Sequence, residues 1–334
     1  MTAISVVVPV FNKKPHLQRS IGSILRQTYQ DFELIAVDDA STDGSLEELE
    51  RFTDPRIKIL RRQEPGPGGY AARNLGAKTA SSDWVAFLDA DDEWSPHHLS
   101  EIIYLQQAFP SAPLVGTSWE VINDGETRYP SEFLTYMAGK AEHIEIDFGE
   151  FLKASADGRQ PFWTSALAVK KDLLLKTGGF PAGKYRRGGD LDTWLRLMSD
   201  CRTAAWSSKI TATYYRNSVN MVTKSEPFEI TFEATTIPEL IKKEPQPEVR
   251  ALLKRFANTY LTSRFLVTSY YGQRPTGQIA KYLYLRHITF KQAVVLIASF
   301  LPKRIFSWIY GLYHRALSRS SMRAAQKPEG TRMS

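Results

Sequence analysis

The first ninety residues alternate short apolar runs with helical spacings, and this alternation constrains the fold more than any other feature. Ile4-Ser5-Val6-Val7-Val8 is a β-branched run closed by Pro9. Leu17, Ile21, Ile24 and Leu25 recur at the spacing of one helix face, and Gln27-Thr28-Tyr29 ends that helix. Phe32 to Val37 reads as a second strand. Ser41-Thr42-Asp43 offers N-caps to a helix through Leu46 and Leu49, and Ile57 to Leu60 reads as a third strand. Pro65-Gly66-Pro67-Gly68-Gly69 predicts a loop, Leu75 and Ala77 a helix, and Trp84 to Leu88 a fourth strand. These strands are apolar at nearly every position rather than every second one. They are therefore buried on both faces, which implies a mainly parallel sheet with helices on both sides.

In open sheets of this kind ligands bind beyond the carboxyl ends of the strands. Pro9, Phe11 and Asn12 follow the first strand, Asp38-Asp39 the second, and FLDADDEW, Phe87 to Trp94, closes the fourth. That last stretch crowds Asp89, Asp91, Asp92 and Glu93 into five positions. Like charges so close repel one another and do nothing for a fold. A loop there can aim Asp89 and Asp91 at one hard cation. Mg2+ or Mn2+ takes one or two carboxylates and fills its shell with phosphate oxygens and water. A solvated acidic turn capping the helix near Ser95-Pro96 is the alternative, and the strand-end location favours the cation.

VVVPVFNKKPHLQRSIGSILRQTYQDFELIAVDDASTDGS and AARNLGAKTASSDWVAFLDADDEW together resemble the family-2 glycosyltransferases of the GT-A fold. The resemblance is dense over residues 4–110 and resumes at Gly178-Gly179-Phe180 and at GGDLDTWLRL, Gly188 to Leu197. It implies a GT-A type, Rossmann-like α/β domain over 1–225. Residues 1–110 would form the nucleotide-sugar-binding half and 111–225 the acceptor half. It implies that Pro9 and Phe11 line the base pocket, and that Asp39 accepts a hydrogen bond from a uracil- or thymine-type imide. Arg73 would lie next to the nucleotide, Asp89 at the ribose side, and Asp91 on the metal at the diphosphate, with Asp89 joining through water. Asp190 would be the general base of an inverting transfer to a hydroxyl. Helix N–H groups at its position would hold it ionised. Asp192 is expected to be structural, with Trp194, Leu195 and Leu197 packing behind. Two departures stand out. Ala40 replaces the glycine common in the DDGSTD pattern, a mild change, and Gly189 stands where many relatives have Glu. No QxxRW motif follows, which argues for transfer of one sugar rather than processive synthesis.

Other signals weigh less. Gly66 to Ala71 formally matches GxGxxA but follows the third strand rather than the first, so a donor-side loop is the better reading than a dinucleotide fingerprint. The six histidines show no zinc-type spacing, and His97-His98 suits the first turn of a helix. The single cysteine, Cys201, permits no internal disulfide and points to a reduced, cytoplasmic compartment. No signal peptide is visible at the start.

Charge divides the chain. Residues 1–248 hold 28 Lys/Arg and 35 Asp/Glu, whereas residues 249–328 hold 14 Lys/Arg and no acid. The division predicts a basic helical region over 226–317 and a disordered tail over 318–334. The stretch from Lys291 to Ser320 mixes Trp308, Tyr310 and Tyr313 with Lys303, Arg304, Arg315 and Arg319. Such a segment can lie on an anionic membrane as a peripheral anchor, or pack on the catalytic core. No nucleic-acid-binding motif accompanies the basic charge. The reading is therefore a peripheral, inner-face glycosyltransferase using a UDP- or dTDP-type sugar and a glycan or lipid-linked glycan acceptor in surface polysaccharide assembly. A sugar-nucleotide-forming nucleotidyltransferase would require a GxGTR-type loop after the first strand, where Pro9-Val10-Phe11-Asn12 stands. A catalytically silent donor-binding protein would lack the metal or base carboxylates.

Overall fold

A computed structural model describes residues 3–123, 127–216, 218, 229–270 and 279–298. The predicted tail 318–334 and most of the Lys291–Ser320 stretch lie outside the described residues. The chain divides into two compact units, residues 1–256 and 257–334.

The first unit is built on a ten-stranded mixed sheet. Its strands are β1 (Ile4–Val10), β2 (Phe32–Asp38), β3 (Ile57–Arg61), β4 (Trp84–Phe87), β5 (Glu93–Trp94), β6 (Leu114–Ile122), β7 (Arg128–Pro130), β8 (His143–Asp147), β9 (Leu167–Lys170) and β10 (Thr203–Tyr215). The order is β3-β2-β1-β4-β9-β6-β10-β5, with β7 on β6 and β8 on β10. The β3-β2-β1-β4 half is wholly parallel. β9 inserts antiparallel between β4 and β6, while β6 and β10 run parallel.

The helices are α1 (Leu17–Leu25), α2 (Ser45–Leu49), α3 (Tyr70–Thr79), α4 (His98–Ala108), α5 (Glu132–Tyr136), α6 (Phe148–Ala156), α7 (Lys171–Lys176), α8 (Gly189–Cys201), α9 (Thr236–Lys243), α10 (Pro247–Tyr270) and α11 (Phe290–Ala298). Alternation along β1 explains how both faces are covered. Val6, Val8 and Val10 join one buried cluster with Leu17, Ile21 and Ile24 of α1 and Leu99, Ile102 and Leu105 of α4. Val7 points the other way, against Gly76 of α3. Each such fully buried aliphatic side chain contributes about 1.5–3 kcal/mol.

Three local features differ from the sequence expectations. Pro9 lies inside β1 rather than closing it, paired with Val37. The last β1–β4 pair is Val7 with Phe87, so the N–H that proline lacks would face a side where β4 has already ended. Asp43 does not cap α2 as its N-cap residue; Gly44 takes that place, and Asp43 Oδ1 accepts from the Ser45 amide at 3.0 Å. Ala40 sits at φ +60°, a left-handed conformation that costs a Cβ-bearing residue about 1–2 kcal/mol, so its replacement of glycine is a strained one.

Residues 229–256 pack into the first unit, burying Phe232, Ile237, Leu253 and Phe256. In the second unit the Asn258 side chain donates to the Tyr284 carbonyl at 3.0 Å and accepts the Tyr284 amide at 2.9 Å. Among the described residues no helix is long and apolar enough to cross a membrane.

Candidate active site

A cleft of about 410 Å³ opens at the carboxyl ends of β1, β2 and β4. Pro9, Phe11, Asp39, Arg73, Asp89, Asp91 and Asp190, the seven positions singled out in the sequence, all line it. Tyr70, from the segment read as a donor-side loop, lines it as well, as do Lys13, Trp163, Arg187 and Tyr214, to which sequence reasoning gave no part in a site.

At the β1–β2 end, Phe11 keeps 41% of its surface exposed, unusual for a large apolar side chain. Asp39 is buried and already engaged: one oxygen pairs with Arg62 and the other accepts the Gly66 amide at 3.0 Å. The loop before α3 is thereby tied to the end of β2. A carboxylate has about four acceptor positions, so Asp39 retains capacity for a further donor.

At the end of β4, each carboxylate of the pair has one oxygen held by a cation. Asp89 Oδ1 receives Arg73, and Asp91 Oδ2 receives Lys13 Nζ at 2.6 Å. The other oxygen of each makes no hydrogen bond among the described residues. Two hard donors at the foot of one cleft fit Mg2+ or Mn2+. Among the described residues no three His, Cys, Asp or Glu side chains converge on one point, so such an ion would complete its shell with phosphate oxygens and water. Asp92 turns inward, where its Oδ2 accepts Ser165 Oγ at 2.7 Å. Burial, with Asp91 and Asp89 close by, pushes its carboxyl well above the usual range, which lessens the repulsion within the cluster. Ser165 Oγ also accepts the Asp89 amide, at 3.1 Å, so one hydroxyl fixes two members of the acid loop.

Asp190 is the second residue of α8, after Gly188 at φ +75°. Its Oδ1 is shut away from solvent without a hydrogen bond, 3.7 Å from Arg73 Nη1, while the side chain as a whole is 41% exposed. Burial pushes its carboxyl up to about 6; Asp89 adds to the rise, and Arg73 and Thr164 oppose it. The expectation that helix amides keep Asp190 ionised is therefore corrected. Among the described residues no amide donates to it, and desolvation outweighs the helix terminus. Arg73 stands between the two halves of the site. It pairs with Asp89, donates to the Gly68 carbonyl at 2.7 Å and lies beside Asp190.

Short motifs singled out in the sequence show how distant segments meet here. Asn74, of AARN, donates to the Phe180 carbonyl and accepts the Phe180 amide, both at 2.8 Å. This amide clamp joins α3 to the GGF segment across 106 positions. Asp192 is buried, held by Arg196 at 2.9 Å and by the Thr236 hydroxyl, which is the structural part expected for it. His98 opens α4, stacked on Trp94, and burial lowers its ring to about 3, so it is a neutral core residue.

Gly189 shows what the Glu of relatives could not do in this chain. Its amide donates to the Tyr70 hydroxyl at 2.9 Å, and a Cβ there would lie 2.6 Å from Tyr70 Cζ and 2.7 Å from Pro181 Cγ. Gly189→Ala is expected to destabilise the fold by ~1–3 kcal/mol through overpacking, read as a lower urea midpoint with an unchanged slope.

The model of the family described as Glycosyl transferase family 2 matches residues 5–164. An uncharacterized glycosyltransferase of Haemophilus influenzae is 30% identical over 199 residues, covering 59% of this chain and 62% of that protein, so the chain spans less than two thirds of that relative. The Escherichia coli UDP-Glc:alpha-D-GlcNAc-diphosphoundecaprenol beta-1,3-glucosyltransferase WfgD is 28% identical over 225 residues, covering 67% of this chain and 80% of that protein. Among solved structures, Staphylococcus aureus TarS 1–349 in complex with UDP-GlcNAc superimposes with a TM-score of 0.67 over 93% of this chain and 92% of that one, at 15% identity. The likeness to TarS is one of fold, and it extends the GT-A architecture beyond the segment matched by the family model. With the sheet order, the strand-end acid loop and these matches together, residues 5–164 carry a domain that matches glycosyltransferase family 2.

Proposed function

We propose that this protein is an inverting, metal-dependent glycosyltransferase that moves one sugar from a UDP- or dTDP-type donor to a hydroxyl of a lipid-linked glycan during bacterial surface polysaccharide assembly. One observation carries the reading: a carboxyl raised to about 6, Asp190, shares a cleft with two strand-end carboxylates, Asp89 and Asp91, and Arg73 stands between them. A base poised near neutrality beside a place for a diphosphate is the equipment of hydroxyl-to-sugar transfer.

Phe11 offers a ring face to the base, and Asp39 an acceptor to its imide N–H. Asp89 and Asp91 would hold Mg2+ or Mn2+, which when bound offsets the charge growing on the diphosphate. Lys13 and Arg187 add positive charge along the same wall. Asp190 takes the proton of the acceptor hydroxyl. That oxygen forms a bond to the anomeric carbon as the bond to the diphosphate breaks on the opposite face, so configuration inverts and the electron pair leaves with the nucleotide. The acid-free basic stretch 249–328, and Phe290, Val294 and Ile297 exposed along α11, support a position at an anionic membrane surface. WfgD, whose name specifies a diphosphoundecaprenol-linked acceptor, supports a lipid-linked one here.

The test is nucleotide release from a panel of UDP-, dTDP- and GDP-sugars with Mn2+. Release from a UDP- or dTDP-sugar, abolished by EDTA, is expected. No release from any donor, or release that EDTA leaves intact, overturns the reading.

A further inference from the structure

The strand order divides the cleft into two ends. Pro9, Phe11, Asp39 and Gly66 belong to β1, β2 and the loop after β3, on one side of the β4 acid loop. Trp163 and Tyr214 lie on the other side: Trp163 immediately precedes the turn leading into β9, and Tyr214 is on β10. A nucleotide whose diphosphate sits at Asp89 and Asp91 extends its nucleoside toward the first side and turns its sugar toward the second. What lines the second side therefore meets whatever approaches the sugar.

That side is aromatic and rigid. The Trp163 ring is 5.6 Å from Trp119 and 5.3 Å from Tyr214, so it is braced from two directions. It remains half-buried, with surface turned to the cleft. Its near neighbour in sequence is placed by the site itself: Ser165 donates to Asp92 and accepts the Asp89 amide. Neither the Trp163 indole N–H nor the Tyr214 hydroxyl makes a hydrogen bond among the described residues. An aromatic face is negative and attracts the weakly positive C–H face of a pyranose, while an indole N–H and a phenol at the ring edges suit its hydroxyls. A straight-chain alcohol or a phosphorylated polyol has no such face to present.

We propose that Trp163 and Tyr214 form the acceptor subsite, and that this subsite takes a pyranose ring stacked on Trp163 with its hydroxyls directed to Tyr214 and Asp190. The assignment rests on the glycosyltransferase reading above and adds to it which residues choose the acceptor.

The experiment uses the full chain, a UDP- or dTDP-sugar that it hydrolyses, and two sets of acceptors. The first set holds alkyl pyranosides and N-acetylglucosamine joined through diphosphate to an alkyl chain; the second holds glycerol phosphate and undecanol. Transfer to at least one pyranose and to neither ring-free compound is expected. Trp163→Ala should raise the acceptor KM about tenfold or more while the Kd for UDP, measured without acceptor, moves less than threefold. Trp163→Phe should recover most of the loss, and Tyr214→Phe, which removes one hydroxyl and keeps the ring, should raise the acceptor KM severalfold. Transfer only to ring-free compounds, transfer to none of the panel, an unchanged KM in all three variants, or a parallel rise in the Kd for UDP overturns the subsite. Failure of the unaltered protein to release nucleotide from any donor instead overturns the underlying reading.

Discussion

Asp190→Asn is expected to lower sugar transfer by about 10²–10⁴-fold while UDP still binds with an affinity within about threefold of the original. The two measurements separate because Asp190 and the residues proposed for the nucleotide occupy different stretches of the cleft wall, with Arg73 between them. Asn has nearly the shape of Asp and can accept a hydrogen bond, but it cannot take a proton from a hydroxyl. Loss of UDP binding in the variant would mean that Asp190 organises the site rather than reacting in it.

The pH dependence gives an independent check. A general base works only when ionised, and the Asp190 carboxyl is raised to about 6, so with Asp190 in that proposed role kcat/KM should rise with pH and level off above that value. A divalent ion that neutralises Asp89 removes one of the influences raising Asp190, and the limb then moves lower. Asp190→Asn should have no such limb. Stability follows the opposite sign. Because the folded carboxyl is harder to ionise than the unfolded one, Asp190 contributes stability that is present in acid and lost as pH rises from about 4 to about 6. The variant has no group to ionise, so its melting temperature relative to the unaltered protein should climb across that interval and then stay level.

Which parts of this site were legible in sequence follows from where they sit. Pro9, the penultimate residue of β1, and Asp39 and Asp89, just past β2 and β4, belong to strands that are neighbours in a parallel sheet. Hydrophobic runs mark such strands locally, and the strand-end rule then gathers their ends without knowledge of longer-range contacts. Asp190 was legible through the glycines before it. Trp163, Tyr214 and Ser165 were not, because they reach the cleft only through the antiparallel insertion of β9 and the pairing of β10 with β5 and β6, which no local pattern announces. Tyr70 falls in the Gly66–Ala71 segment that reads as a donor-side loop, and its contact with Gly189 emerges only in the packed fold. The acidity of Asp190 was misjudged for a related reason. Proximity to a helix start is visible in sequence, whereas burial of one carboxylate oxygen is a property of the packed fold. Ala40 likewise gives no sign in sequence of its left-handed backbone.

Asp91→Asn is expected to reduce Mn2+-dependent transfer on the order of 10²–10³-fold, because the charge on the departing diphosphate then loses most of its compensation. The fold should survive: Asn can still accept from Lys13 Nζ, which now lies 2.6 Å from Asp91, and the site opens to solvent on the other side. Lys13 makes the result specific. It is a cation already held by the carboxylate that the metal would use, so metal and lysine compete for Asp91. Lys13→Met should therefore tighten Mn2+ binding, while Asp91→Asn should weaken it at least tenfold, both read by titration calorimetry in the presence of UDP. If the acid loop were only a solvated cap for the segment leading to α4, Asp91→Asn would leave Mn2+ binding and turnover where they were and would lower the melting temperature alone. Weaker Mn2+ binding in both variants would place Lys13 with the metal site as a support rather than a rival. The sign of the Lys13→Met effect thus decides whether the 2.6 Å ion pair is what a metal displaces or what keeps Asp91 in place to receive it.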